Sequence, residues 1–308
     1  MFRRYVLITP ARNEEAFIGE TIDAVCAQDL RPLEWIVVSD GSTDRTDEIV
    51  RAAAAKHSWI RLVSLAPRDG HCFAAVVRAT EVGLGKLKNV EYDFIGLLDA
   101  DVRFEPDYFT RVISEFEDCS DLGVAGGMVV DTGCSRDELP RNRMEIPGAV
   151  QFFRREWFEA LGGLLAIPEG GWDTLTCARA RQLGYQTRLL TALVVEHLKP
   201  RNVAKGGLWQ RNKQLGVRDH ALGYHPLFEI VKCTSRWKEH PFLAAALARG
   251  VGYLSAEINA RPRLIPPELR DFIRKEQTDR LLRLVRLPGK RHSECQCPAI
   301  SKAPPVLK

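Results

Sequence analysis

The chain has 308 residues, of which 45% are apolar and 27% charged, with a formal net charge of +4. That length suits one large domain or two small ones, the composition is that of a soluble globular protein, and the charge excess is too small to indicate nucleic-acid binding. The eight cysteines are scattered without a CxxC pair, which reads as a reduced, cytoplasmic set of thiols rather than a disulfide framework. Cys295 and Cys297 form the one close pair, and no second ligand pair lies nearby to complete a zinc site.

The N-terminal apolar run is too short for the core of a signal peptide and reads as a first strand, YVLIT (5–9). A helix over 13–28 follows, with Ile18, Ile22 and Val25 on one face and Asn13 as its expected N-cap. EWIVVS (34–39) is a second strand, and a second helix is expected to start at Ser42 or Thr43. IRLVSL (60–65) is a third strand, 72–85 a third helix and DFIGLL (93–98) a fourth strand. A helix then opens with Pro106 in its first turn. Further strands are expected over 123–131 and 148–154, separated by a long polar loop. A helix over 172–184 and a strand over 185–198 come next. Strands alternating with amphipathic helices predict βαβ units and a mainly parallel, Rossmann-like sheet flanked by helices.

After Leu198 the character changes. Lys199, Arg201, Lys205, Arg211, Lys213 and Arg218 precede the next acid, Asp219. An alanine-rich apolar segment (240–258) contains Arg249, whose charge at the centre of a membrane span would cost roughly 2.5–3.5 kcal/mol. It therefore reads as a buried or interfacial helix. A basic amphipathic segment (269–291) would either lie on an anionic membrane face or dock on the rest of the protein. These changes divide the chain into a catalytic domain over 1–220, with halves meeting near residue 102, a helical extension over 221–287 and a disordered tail over 288–308.

In an open α/β sheet, ligands bind beyond the carboxyl ends of the strands. Three polar clusters sit at such ends: TPARNEE after the first strand, SDGSTD after the second and DAD after the fourth. Each alone is compatible with an ordinary turn. The parallel strands bring them to one edge, and the adjacent carboxylates Asp99 and Asp101 suit a divalent cation, Mg²⁺ or Mn²⁺, shared with substrate phosphates. With no Walker loop and no strand-following GxGxxG, phosphates would be held by the cation and by basic side chains.

The order TPARNEEAFIGETIDAVCAQ, EWIVVSDGSTDRT, GLLDAD and GGWDTLTCARARQLGYQT resembles the family 2 glycosyltransferases over roughly residues 4–200. GAVQFFRREWFEALGG and VVEHLKPRN fit the bacterial polysaccharide-type members. The resemblance implies a GT-A fold and an inverting, metal-dependent transfer from a nucleotide-sugar donor to a glycan or lipid-linked acceptor. The expected location is cytoplasmic, and the apolar and basic segments after residue 240 leave open a peripheral contact with the inner face of the plasma membrane. By the same resemblance Pro10, Arg12 and Glu14 meet the nucleoside, Asp40 reads the base, and Asp99 lies near the ribose. Asp101 is the direct metal ligand, with His197 reaching the metal or diphosphate. Asp173 matches the family's general base. Stacking on a sugar ring would explain the aromatic Trp172 beside it. Trp172 and Val76 depart from the family pattern, which usually has an acid at the first of these positions and often a lysine at the second. Two rival readings stay open: a non-catalytic nucleotide-sugar-binding partner in a polysaccharide assembly complex, and a nucleotidyltransferase, which would normally carry a glycine-rich loop after the first strand.

Overall fold

A computed structural model describes residues 3–67, 72–88, 91–132, 143–199, 207–235 and 243–285. The expected tail over 288–308, the Cys295–Cys297 pair, and Arg201 and Lys205 of the basic stretch lie outside them. The first half alternates strand and helix: β1 (Tyr5–Ala11), α1 (Ile18–Cys26), β2 (Glu34–Ser39), α2 (Thr46–Lys56), β3 (Ile60–Ser64), α3 (Ala74–Leu84), β4 (Phe94–Leu98). The second half runs β5 (Val102–Phe104), α4 (Tyr108–Asp118), β6 (Leu122–Asp131), β7 (Val150–Arg154), α5 (Arg155–Ala160), α6 (Trp172–Gln182), β8 (Gln186–His197). Four helices follow: α7 (Gly207–Ala221), α8 (Pro226–Ser235), α9 (Ala244–Ile258) and α10 (Pro267–Val285).

The strands form one sheet in the order β3-β2-β1-β4-β7-β6-β8-β5. The β3-β2-β1-β4 portion is parallel, as the alternation of elements predicts. Beyond β4 the sheet is mixed. β7 runs antiparallel to both β4 and β6, β6 pairs in parallel with β8, and β5 lies antiparallel on β8. β1, β2 and β4 read as nearly unbroken apolar runs because helices cover both faces. Alternate residues serve opposite layers. Leu7, Trp35, Val37 and Phe94 pack with α1, α2 and α4. Val6, Ile8, Ile36 and Ile95 pack with α3, α5 and α6.

Several local expectations are corrected. Asn13 does not cap α1, which starts at Ile18; it sits at φ 54 and its side chain accepts a hydrogen bond from the Thr43 amide. Asparagine tolerates that left-handed conformation because its short polar side chain bonds locally. Ser42 and Thr43 likewise precede α2, which begins at Thr46, and the Ser42 hydroxyl is engaged by Ser39 and by the Asn13 amide. β5 has no counterpart among the expected strands, since three residues are too few to show a period.

The apolar segment around Arg249 is a buried helix at the arginine's position. Arg249 is 4% exposed, and its Nε lies 2.7 Å from Asp219 of α7 and 3.2 Å from Glu229 of α8. Lys232 completes the cluster, 2.9 Å from Asp219. Gly216 of α7 and Gly252 of α9 sit where a Cβ would strike the backbone of the facing helix, so the two helices touch main chain to main chain. α10 docks through buried Leu269, Ile273 and Gln277, and its Glu276 pairs with Arg181 of α6 at 2.8 Å. No helix among the described residues is long and apolar enough to cross a membrane.

Burial alone would raise the Asp219 carboxyl, but Lys232, Arg249 and Arg218 outweigh it and bring the group from its ordinary 3.8 down to about 2. Because the folded value lies below the unfolded one, this stabilisation is complete above pH 4 or so and is lost as pH falls toward 2. Arg249→Ala leaves two buried acids to share Lys232 and should cost about 3–5 kcal/mol. Arg45→Ala, which removes the exposed Arg45–Glu48 pair, should cost no more than about 1 kcal/mol. Urea unfolding of both variants at neutral pH checks the contrast, and equal losses would refute it.

Candidate functional site

The loops after β1 and β2 are joined by a run of hydrogen bonds. The Asn13 amide donates to Ser42 Oγ (3.1 Å), Glu14 to Thr46 Oγ1 (2.8 Å), Glu15 to Asp44 Oδ2 (3.0 Å), and the Asp40 amide to the Ala11 carbonyl (2.8 Å). Gly41 takes φ +67, and a Cβ there would meet Pro67 and Ala66 in the loop after β3. Glycine is therefore required at the turn that presents Asp40. Pro10, Arg12, Glu14 and Asp40 are all half-buried along this edge.

Asp99 and Asp101 follow β4. The Asp99 amide donates to the Ala149 carbonyl just before β7 (3.0 Å), and the Asp101 carbonyl accepts from Leu198 just after β8 (2.8 Å). β5 pairs Val102 with His197, which carries the histidine across to the acids. One ligand atom from each of Asp99, Asp101 and His197 lies within 4.8 Å of the others. Asp101 and His197 are buried, and His197 Nε2 stands 3.5 Å from Asp101 Oδ2. On the far side of the ring, Nδ1 is 2.6 Å from the Lys199 carbonyl. A carbonyl only accepts, so Nδ1 donates to it, and Nε2 is the ring nitrogen that faces the acids. This is how metal-binding imidazoles are usually oriented. Two carboxylates and an imidazole so placed fit a divalent cation with oxygen and nitrogen ligands.

Two neighbours of this cluster are not evident from the sequence as such. Asp131, at the end of β6, has Oδ1 3.8 Å from His197 Nδ1; its position at a strand end of the same sheet is the signal that could reveal it. Lys199 appears in the sequence only as one cation of a basic run. Its ammonium reaches Glu14 Oε1 at 2.6 Å across 185 residues of chain. Burial raises the Glu14 carboxyl, Lys199 draws it back, and Asp101 adds repulsion. The structure thus ties the first loop, the acid pair and the segment after β8 together.

Asp173 opens α6, half-buried. Its Oδ2 accepts from the Gly148 amide (3.2 Å) and its Oδ1 from the Thr174 amide (2.9 Å). Gly148 immediately precedes Ala149, the partner of Asp99, so a two-residue backbone bridge links Asp173 to the acid pair. Gly170 and Gly171, at φ +85 and +93, turn the chain against Phe73 just before α3 and against Leu222 and Arg218, rather than into open space. Trp172 is half-buried, its ring against Gly148 and the core layer that includes Ile146 and Cys177. A further acid, Glu145, is half-buried near Asp173. Burial raises its carboxyl, Arg181 and Lys232 oppose that, Asp173 adds to it and Arg280 opposes it.

A sequence model of glycosyl transferase family 2 matches residues 6–172, more than half of the 308-residue chain. The chain belongs to glycosyl transferase family 2. It is similar to the uncharacterized glycosyltransferase EpsJ of Bacillus subtilis, 32% identical over 111 residues that make up 36% of this chain and 30% of that protein. It is also similar to the undecaprenyl-phosphate 4-deoxy-4-formamido-L-arabinose transferase of Pseudomonas aeruginosa, 29% identical over 35% of this chain and 30% of that protein. The chain thus spans about 30% of the length of these relatives. Among solved structures, the mannosyltransferase PcManGT of Pyrobaculum calidifontis, in complex with GDP-Man and Mn²⁺, superposes with a TM-score of 0.56 at 22% identity, covering 91% of this chain and 80% of that one. The fold is therefore the GT-A fold that the motifs of this family 2 member imply.

If the cluster holds a cation, Asp101→Ala should abolish Mn²⁺-dependent affinity for a nucleoside diphosphate while leaving the melting temperature nearly unchanged. Calorimetry with and without Mn²⁺ reads this directly. Unchanged Mn²⁺-dependent affinity in the variant would place the ion elsewhere.

Proposed function

We propose that this family 2 member is an inverting glycosyltransferase that moves a sugar from a nucleotide-sugar donor to a glycan or lipid-linked acceptor. The observation that carries the reading is the Asp99–Asp101–His197 cluster joined to Asp173 through Gly148 and Ala149. A divalent cation held by Asp101 and His197 would supply electrostatic stabilisation of the departing diphosphate. Pro10, Arg12 and Glu14 border the nucleoside, Asp40 accepts a hydrogen bond from the base, and Asp99 faces the ribose. Asp173 takes the proton from the acceptor hydroxyl as that oxygen attacks the anomeric carbon. The bond from that carbon to the diphosphate oxygen breaks on the opposite face, with oxocarbenium character in the transition state. The amides of Gly148 and Thr174 hold the Asp173 carboxylate by both oxygens and aim it.

A lipid-linked acceptor is supported by the relative whose name specifies undecaprenyl phosphate. Arg249, turned inward to Asp219 and Glu229, supports peripheral rather than integral contact with a membrane. A non-catalytic donor-binding role draws support from one feature, the partly buried Trp172 in place of a second acid. Metal-dependent release of nucleoside diphosphate from a nucleotide sugar separates the two.

Asp173→Asn should keep the fold and the donor affinity but reduce transfer by about 10²–10⁴-fold, the usual range for loss of a general base. A helix-terminal acid with no catalytic part would instead contribute about 1 kcal/mol or less to stability. Melting temperature and turnover measured on the same variant distinguish these, and a stable variant with near-normal turnover would remove Asp173 from the mechanism.

A further inference from the structure

A nucleotide-sugar donor in this site runs from the Asp40 turn, past the Asp99–Asp101–His197 cluster, to Asp173. Its anomeric carbon must lie between the diphosphate and the base, so the sugar ring sits beside the loop that carries Asp173. The segment after β3 reaches both borders of that path. At its start, the Leu65 amide donates to the Ser39 carbonyl (2.8 Å), and Ala66 and Pro67 lie against Gly41, next to Asp40. At its end, Phe73 lies against Gly170: a Cβ there would come within 3.2 Å of the ring's Cγ. Gly170 is three residues before Asp173.

Phe73 is 51% exposed. A single exposed apolar side chain needs no explanation in itself; the place of this one supplies an explanation. Among the described residues up to Trp172, the large apolar side chains left exposed are Leu33, Phe73 and Met144, and Phe73 is the aromatic one. Leu33 precedes β2 and so lies at the opposite edge of the sheet from Asp40. Trp172, the aromatic that the sequence offers for stacking, has its ring against Gly148 and the core layer. Val76 follows Phe73 by three residues on the same side of the helix start and is half-buried. The start of α3 therefore offers apolar contact rather than charge at this border.

We propose that Phe73 is the side chain on which the donor's sugar ring rests, held against Gly170 so that the anomeric carbon faces Asp173. The proposal names the sugar contact of the donor site described above and rests on that reading. A pyranose presents C–H groups on its faces, and these suit the electron-rich face of an aromatic ring. A platform of this kind fixes the tilt of the sugar without competing for its hydroxyls. The left-handed Gly170 is what lets the ring lie so close to the loop, because any side chain there would displace it. Trp172 is thereby left to the core, and the aromatic contact comes from the other wall of the site.

The test is calorimetry of the full chain in Mn²⁺ with UDP-glucose, UDP-N-acetylglucosamine and GDP-mannose, each beside its parent UDP or GDP. Comparing each ester with its parent isolates the sugar's contact from that of the nucleotide. Phe73→Ala should weaken the best-bound nucleotide sugar by about fivefold or more, since it removes both apolar area and the directional ring contact. It should leave the parent diphosphate's affinity and the melting temperature unchanged. Phe73→Tyr should bind as wild type does, and Phe73→Leu should fall short of it. Equal weakening of ester and parent by Phe73→Ala would overturn the proposal, because the ring would then only support the nucleotide loops. Unchanged affinity for the ester in Phe73→Ala, or full affinity in Phe73→Leu, would overturn it as well. So would a wild type that binds UDP or GDP but none of their esters. Failure of wild type to bind any of these five compounds in Mn²⁺ would refute the donor reading itself, and this proposal with it.

Discussion

Two carboxylates forced together beside a third negative neighbour dominate the design of this protein. With ligand atoms of Asp99 and Asp101 within 4.8 Å, like charges repel by roughly 3 kcal/mol or more even at an effective dielectric of about 20. Glu14 adds to the repulsion and is itself paired with Lys199. A cation bound between the acids turns the same arrangement from a cost into a binding site, and the imidazole of His197, with Nε2 turned inward, offers a nitrogen ligand beside the two carboxylates.

The sheet exists in its observed order to make that convergence happen. β1, β2 and β4 end at one edge because they are parallel neighbours, so the loops after β1 and β2 and the acid pair meet without long connections. β7 and β8 then bring the second half to the same edge. β7 places Ala149 and Gly148 between Asp99 and Asp173, and β8 delivers His197 opposite Val102. The extension closes the back of α6 through Leu175 and Ala178 against Leu222, Tyr253 and Leu269, while the buried charges of Asp219, Arg249 and Lys232 hold α7, α8 and α9 in one arrangement.

Much of this was legible in the sequence for a physical reason. Strands covered on both faces must be apolar throughout, so YVLIT, EWIVVS and FIGLL announce themselves, and parallel neighbours align their polar ends. What could not be read depends on contacts between distant residues or on segments too short to show a period. β5 is three residues long and is a strand only because β8 is there to pair with it. Asn13 looks like a helix cap until Thr43 claims its side chain. Lys199 is indistinguishable from the other cations of its run until the fold sets it against Glu14. Arg249 read as an obstacle to a membrane span, which is sound, but its partners Asp219 and Glu229 emerge only from the packing of α7 and α8.

The central claim is that the acid pair and His197 bind a nucleotide sugar through a shared divalent cation. The most direct measurement is the melting temperature of the full chain against a panel of nucleotide sugars, each with and without Mn²⁺. At a free donor concentration about a thousandfold above its dissociation constant, binding stabilises by about 4 kcal/mol. The account predicts a shift of that size for at least one donor in the presence of Mn²⁺, and its disappearance with chelator. Equal stabilisation by the same donor with and without the ion would contradict it.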